Sequence, residues 1–155
     1  KYPEVSRPYC ACFVILRREN KIAMVLRKNT SYMDGYYGLP AGKSEWFEPF
    51  SKGAAREAKE EAGIDIEPKN LKFVHIVHRH GESEIEQKFM DWVDVYFEAS
   101  SWAGEPYNAE EHKSERLDWL DINNLPKNIV PPQLSALEHI AKRINYSEYG
   151  WGSEK

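Results

Sequence analysis

Gly42 to Ile64 reads GKSEWFEPFSKGAAREAKEEAGI, and the rest of the chain is organised around it. Wound at about 3.6 residues per turn, the stretch sets Glu57, Glu60 and Glu61 at i, i+3 and i+4, so their carboxylates share one face. Ala54, Ala55, Ala58 and Ala62 form the adjoining apolar stripe. Pro49 suits the first turn of such a helix, where no amide donor is needed, and Gly63 suits its end. Two full charges about 6 Å apart repel by roughly 3 kcal/mol at an effective dielectric near 20. A carboxylate-rich face beside a packed one therefore calls for compensation, and a hard divalent cation such as Mg²⁺ or Mn²⁺ supplies it while keeping sites for phosphate oxygens.

Gly42, Glu48, Arg56, Glu57, Glu60, Glu61, Gly63 and Ile64 also stand at the fixed places of the pattern G-x5-E-x7-R-E-U-x-E-E-x-G-U. Ala58 is smaller than the bulky aliphatic usual at the first U. The stretch resembles the Nudix box. The resemblance implies a hydrolase that cleaves a diphosphate linkage in a nucleoside diphosphate joined to another group. It implies an α/β/α sandwich with a mixed β-sheet, the box helix and a C-terminal helix lying on opposite faces. In its terms Glu57, Glu60, Glu61 and the backbone carbonyl of Ala41 ligate Mg²⁺, with Mn²⁺ as an alternative ion. One of these glutamates, or a distal one drawn from Glu110, Glu111 and Glu115, deprotonates the attacking water. Glu48 and Arg56 form an ion pair that locks loop to helix. The bland alternative is a solvated helix, where like charges cost a few tenths of a kcal/mol and Arg56 or Lys59 offset them.

Outward from the box, Tyr9 to Leu16 (YCACFVIL) is apolar on both alternating faces and reads as a strand covered on both sides. A polar turn, Arg17 to Lys21, leads into a second strand, Ile22 to Leu26, and Arg27 and Lys28 at its end are candidates for holding substrate phosphate. Asp34-Gly35 marks a turn in the tyrosine-rich loop that enters the box. Trp46 and Phe47 fall where the family is usually polar with a glycine just before the glutamate. They read as filler between loop and helix, or as a subunit interface of a homodimer, or as a surface for a base.

Leu71 to Val77 and Phe89 to Ala99 read as strands joined by a polar turn around Gly81, and Leu117 to Leu120 as a short strand. His75 and His78, three apart on an alternating strand, point to opposite faces and do not share a metal. Trp92 and Tyr96, with the Tyr36-Tyr37 loop, are candidates to meet a nucleobase, and Asn108 to select among bases. Gln133 to Ile144 has helical periodicity after a Pro131-Pro132 stop. The whole, residues 1–155, reads as one domain with a lead-in over 1–8 and an aromatic tail over 146–155.

The formal net charge of -4 and the absence of a basic cluster argue against a nucleic-acid duplex or an anionic membrane as partner. No apolar run is long enough to span a bilayer, so a cytoplasmic location is expected. Cys10 and Cys12, alternate positions on one strand, suit reduced thiols better than a disulfide framework. Family enzymes acting on ADP-ribose often carry a proline about sixteen residues after the box, and dinucleoside polyphosphate enzymes a tyrosine slightly further on. Leu71 to Phe89 contains neither, and Arg79 and His80 stand there instead. That absence points to a nucleoside triphosphate or related small nucleotide as substrate. ADP-ribose or a nucleotide sugar is the alternative, and a non-catalytic nucleotide-binding domain a third reading.

Overall fold

The structure, a computed structural model, describes residues 4–82 and 89–152. The first residues of the lead-in, the connection after β5 and the last residues of the tail lie outside the described residues. A mixed sheet runs β3 (Tyr37–Gly38), β2 (Lys21–Arg27), β1 (Tyr9–Arg18), β6 (Phe89–Ala99), β5 (Lys72–Glu82) and β8 (Tyr146–Tyr149). Off that path, β4 (Ala41–Lys43) pairs with β1 and β7 (Ser114–Asp121) with β2. The pairs β1·β6 and β5·β8 are parallel and the others antiparallel.

The doubly apolar reading of β1 follows from its central place. Cys12, Val14 and Leu16 pack under α1 (Phe50–Ala62), while Ala11, Phe13 and Ile15 turn to the side of α2 (Pro131–Ala141). The two helices therefore cover opposite faces of the sheet. Ala54, Ala58 and Ala62 are fully buried, so the small residue at position 58 lets α1 lie close on β1. Gly63 ends α1 in the left-handed region at φ 68°, its N–H donating to the Lys59 carbonyl. Cys10 and Cys12 are both free thiols, and burial raises the pKa of each.

Several boundaries differ from expectation. Pro49 stands at the N-cap of α1 rather than inside its first turn, and Pro131 and Pro132 form the first turn of α2 rather than a stop before it. Both changes follow from proline's lack of an N–H, which makes a helix start its natural place. Gly81 lies within β5 opposite Met90, so it is not the turn. The aromatic tail forms β8, with Trp151 over His78 at 4.6 Å and its Nε1–H donating to the His78 carbonyl at 2.8 Å. His75 is buried, its ring bonded to the Ile144 carbonyl and the Ser147 hydroxyl, each at 2.7 Å. Among the described residues no helix is long and apolar enough to cross a membrane.

Trp46 and Phe47 do not fill space between loop and helix: they are 92% and 89% exposed, touching each other at 5.3 Å. Phe47 holds φ at 63°, which costs a side-chain-bearing residue about 1–2 kcal/mol. Phe47→Gly is expected to stabilise the fold by up to about 1 kcal/mol after the extra chain entropy of glycine, a rise of about 2–4 °C in a melting scan. An unchanged or lower Tm would mean that the phenyl ring makes a contact worth as much as the strain.

Candidate active site

The short segment Leu39–Lys43 gathers the site. Its alternate residues face one cavity of about 520 Å³, which lies between the α2 side of β1 and β6 and the loops containing Thr30 and Lys113. Leu39 N–H donates to Gln133 Oε1 at 2.8 Å, Ala41 N–H donates to Glu61 Oε2 at 2.9 Å, and the Lys43 ammonium sits 4.8 Å from the Tyr9 ring centre and 5.7 Å from that of Trp92. Ala41 is absent from the left-handed positions, so a side chain is carried there without backbone strain.

Between β4 and α1, Gly42 leaves room for the Glu57 carboxylate, which a Cβ at position 42 would overlap. The obstructed group is the far end of a flexible side chain. Gly42→Ala is therefore expected to keep the fold, with Tm within a few degrees, and to displace the carboxylate, lowering kcat/KM by about tenfold or more. Steady-state assays beside a melting scan check both halves; an unaltered rate would remove Glu57 from the reaction.

Arg56 organises the carboxylates. Its Nε and Nη2 donate to Glu48 at 2.8 and 3.0 Å, its Nη1 donates to Glu57 at 2.8 Å, and its Nη2 also reaches the Lys43 carbonyl at 3.2 Å. The lock between Glu48 and Arg56 thus extends to β4 and to Glu57. Glu60 turns outward, 3.4 Å from Arg56 Nη1 and about half exposed. The expected convergence of all three box carboxylates is absent: among the described residues no group of three or more such side chains is gathered closely enough to hold an ion. Arg56 draws Glu57 and Glu60 one way while the Ala41 amide draws Glu61 another.

Arg27 and Trp92 line the cavity as expected. Arg27 Nε donates to the Tyr32 carbonyl at 3.0 Å, and its guanidinium lies 5.4 Å from the Tyr32 ring centre. Three expected contacts fail. Tyr96 is wholly buried and stacked on Phe13 at 4.5 Å, because strands on both sides and α2 above close over the middle of β6. Asn108 is spent on its own loop, donating to the Ser114 carbonyl at 2.7 Å and accepting from Glu110 N–H at 3.2 Å. It positions Glu110 and Ser114, both of which line the cavity. Tyr37 is likewise a core residue, with its hydroxyl on Asp118. Of the distal glutamates, Glu110 faces the cavity, whereas Glu111 and Glu115 are exposed. Sequence reasoning passed over Lys43, Arg79, Lys113 and Gln133 as site residues, all of which line it.

Burial pushes Glu57 up to about 7 despite the Arg56 guanidinium, and pushes Glu61 up to about 8 against the Ala41 N–H bond. Glu110 adds repulsion to both. Two carboxylates whose burial resists ionisation fit a divalent cation, whose charge would reverse the penalty. The pH dependence follows. Glu57 and Glu61 bind protons more tightly folded than unfolded, so their contribution to stability is full below the ordinary value of 4.5 and is lost as pH rises through about 7 and about 8. In chelator, Tm should fall between pH 6 and 8.5, and Mg²⁺ should oppose the fall; a Tm that climbs over that interval in chelator would contradict the assignment.

A family model described as NUDIX domain matches residues 6–140. The chain belongs to the Nudix family. It is a Nudix hydrolase, with the mixed sheet between helices expected of that fold. Its relatives include an ADP-ribose pyrophosphatase of Methanocaldococcus jannaschii, 29% identical over 127 residues that cover 82% of this chain and 70% of the relative. Another is an uncharacterized Nudix hydrolase of Bacillus subtilis, 27% identical over 119 residues that cover 76% of this chain and 69% of the relative. Among solved structures, a MutT Nudix hydrolase from Burkholderia pseudomallei superposes with a TM-score of 0.74 at 29% identity, covering 86% of this chain and 98% of that one.

Proposed function

We propose that this Nudix hydrolase cleaves the phosphoanhydride of a nucleoside diphosphate joined to a sugar, the class to which ADP-ribose belongs. The observation that carries the reading is the layout along Leu39–Lys43. Gln133, Glu61 and the Lys43 ammonium meet this segment at two-residue steps, and four residues of extended chain span about 13 Å. The carboxylate meets the segment midway. A nucleoside triphosphate would set its base at one end of this row and a lone phosphate at the other, whereas a nucleotide sugar would fill both ends. The name of the archaeal relative favours the same class over the triphosphate expected from the sequence.

Glu57, Glu60 and Glu61, with the Ala41 carbonyl, would hold Mg²⁺ or Mn²⁺. When bound, such an ion withdraws charge from phosphate oxygens and acidifies water. Arg27 has no carboxylate within ion-pair distance among the described residues, and it flanks the cavity with Lys113, where a diphosphate needs positive charge. Glu110 takes the proton of the attacking water, being the distal glutamate on the cavity wall. Arg56 positions Glu57, and Glu48 holds Arg56.

A competitive panel of nucleotide sugars, ADP-ribose and nucleoside triphosphates, compared by kcat/KM, tests the reading. A tenfold preference for the diphosphate sugars, about 1.4 kcal/mol of transition-state binding, is expected. The reverse preference would restore the triphosphate.

A further inference from the structure

Gln133 is a polar residue on the buried stripe of α2, only 7% exposed, and it lines the cavity. Its carboxamide orientation is set by chemistry, because the Leu39 N–H can be met only by an acceptor. The oxygen must therefore be the atom 2.8 Å from that nitrogen. Nε2 carries the two remaining hydrogens, and no hydrogen bond from it is made among the described residues. That donor opens on the cavity, where a ligand acceptor can take the place of water. The same cavity is walled by Phe13, Leu39 and Val25, with the Phe13 ring backed by Tyr96, and the aliphatic stem of Arg27 lies beside the carboxamide at Gly38. Flat apolar walls with one fixed donor suit a planar heterocycle bearing an acceptor at its edge.

We propose that Gln133 is a specificity-determining residue that donates from Nε2 to an exocyclic carbonyl oxygen of the substrate's nucleobase. This places the base at the Leu39 end and the sugar at the Trp92 end, and it rests on the nucleotide-sugar reading given above. Substrate class is drawn from the relative and the spacing along Leu39–Lys43, whereas base choice is drawn from Gln133 itself. A carbonyl at the edge of guanine, hypoxanthine or uracil accepts the bond. Adenine has no exocyclic carbonyl, and its exocyclic amine sets donor against donor and leaves both unmet.

Gln133→Glu isolates the free arm. One carboxylate oxygen still accepts the Leu39 N–H, while the other presents an acceptor where Nε2 presented a donor. The comparison is kcat/KM for hypoxanthine and adenine forms of the same diphosphoribose, which differ only in the base, measured in Mg²⁺ for wild type and Gln133→Glu, with Tm for each. Wild type is expected to favour hypoxanthine by about tenfold or more, and Gln133→Glu to move the ratio at least tenfold toward adenine. A purely structural role would lower both substrates together and leave the ratio unmoved, and that result, or a shift in the opposite direction, overturns the proposal. If Gln133→Glu melts far below wild type, Gln133→Met takes its place, with the ratio expected to fall toward unity. Hydrolysis of triphosphates but of neither diphosphoribose would instead sink the nucleotide-sugar reading.

Discussion

Glu61→Gln is expected to lower kcat by about 100-fold or more while leaving the fold intact or slightly more stable. The glutamine keeps an oxygen for the Ala41 N–H, now held by Glu61 Oε2 at 2.9 Å, so the joint between α1 and β4 survives. What disappears is a negative charge in the cavity, and with it a ligand for the cation. Burial already pushes this carboxyl up to about 8, so removing its charge relieves a desolvation penalty above that pH. The expected signature is a divergence, activity lost and Tm held or raised, which is how a destabilised functional group differs from a structural one. Full activity in Glu61→Gln would show that the reaction does not use the box.

Arg56→Met carries the largest expected effect on stability. Arg56 is the shared partner of Glu48 and Glu57, whose side chains are only 15% and 10% exposed. Truncating one partner of a buried pair leaves the other charge uncompensated, at a cost of roughly 3 kcal/mol, or about 6–12 °C in Tm. Arg56→Lys restores charge but not the fork that reaches Glu48 through Nε and Nη2, so it is expected to fall between. A double variant, Arg56→Met with Glu48→Gln, should recover part of the loss, since it removes one orphaned carboxylate. A loss below 1 kcal/mol in Arg56→Met would mean that the cluster is screened like an ordinary surface pair.

The box was legible because its logic is local. Helical periodicity puts Glu57 and Glu61 together, and a glycine at position 42 and a carboxylate at position 48 are fixed by how a loop meets a helix. The mixed sheet between two helices was legible for the same reason, through period-two and period-3.6 patterns. Where reasoning failed, the missing information was tertiary. Alternation places Trp92 and Tyr96 on one face of β6, but it does not say that Phe13 and α2 seal Tyr96 while Trp92 remains at the cavity. Asn108 has a side chain suited to base recognition, yet its own loop uses both ends of the amide. Lys43 and Arg79 meet over Trp92 only through strand pairing. Gln133 did leave a signal, a polar residue in register with Ala136 and Leu137 on the buried side of α2. The outward turn of Glu60 could not be read from spacing, because it depends on which charges compete for Arg56.

The most direct test of the central claim, water attack on a phosphoanhydride at this carboxylate-lined cavity, is to follow hydrolysis of a nucleoside diphosphate sugar by ³¹P NMR in ¹⁸O-water with Mg²⁺. The account predicts a nucleoside monophosphate and a sugar phosphate, a single ¹⁸O in one of the two phosphoryl groups, and loss of the reaction in chelator and in Glu61→Gln. Label appearing in the sugar instead of in phosphate, or no turnover of any nucleotide by folded protein that binds it, would contradict it.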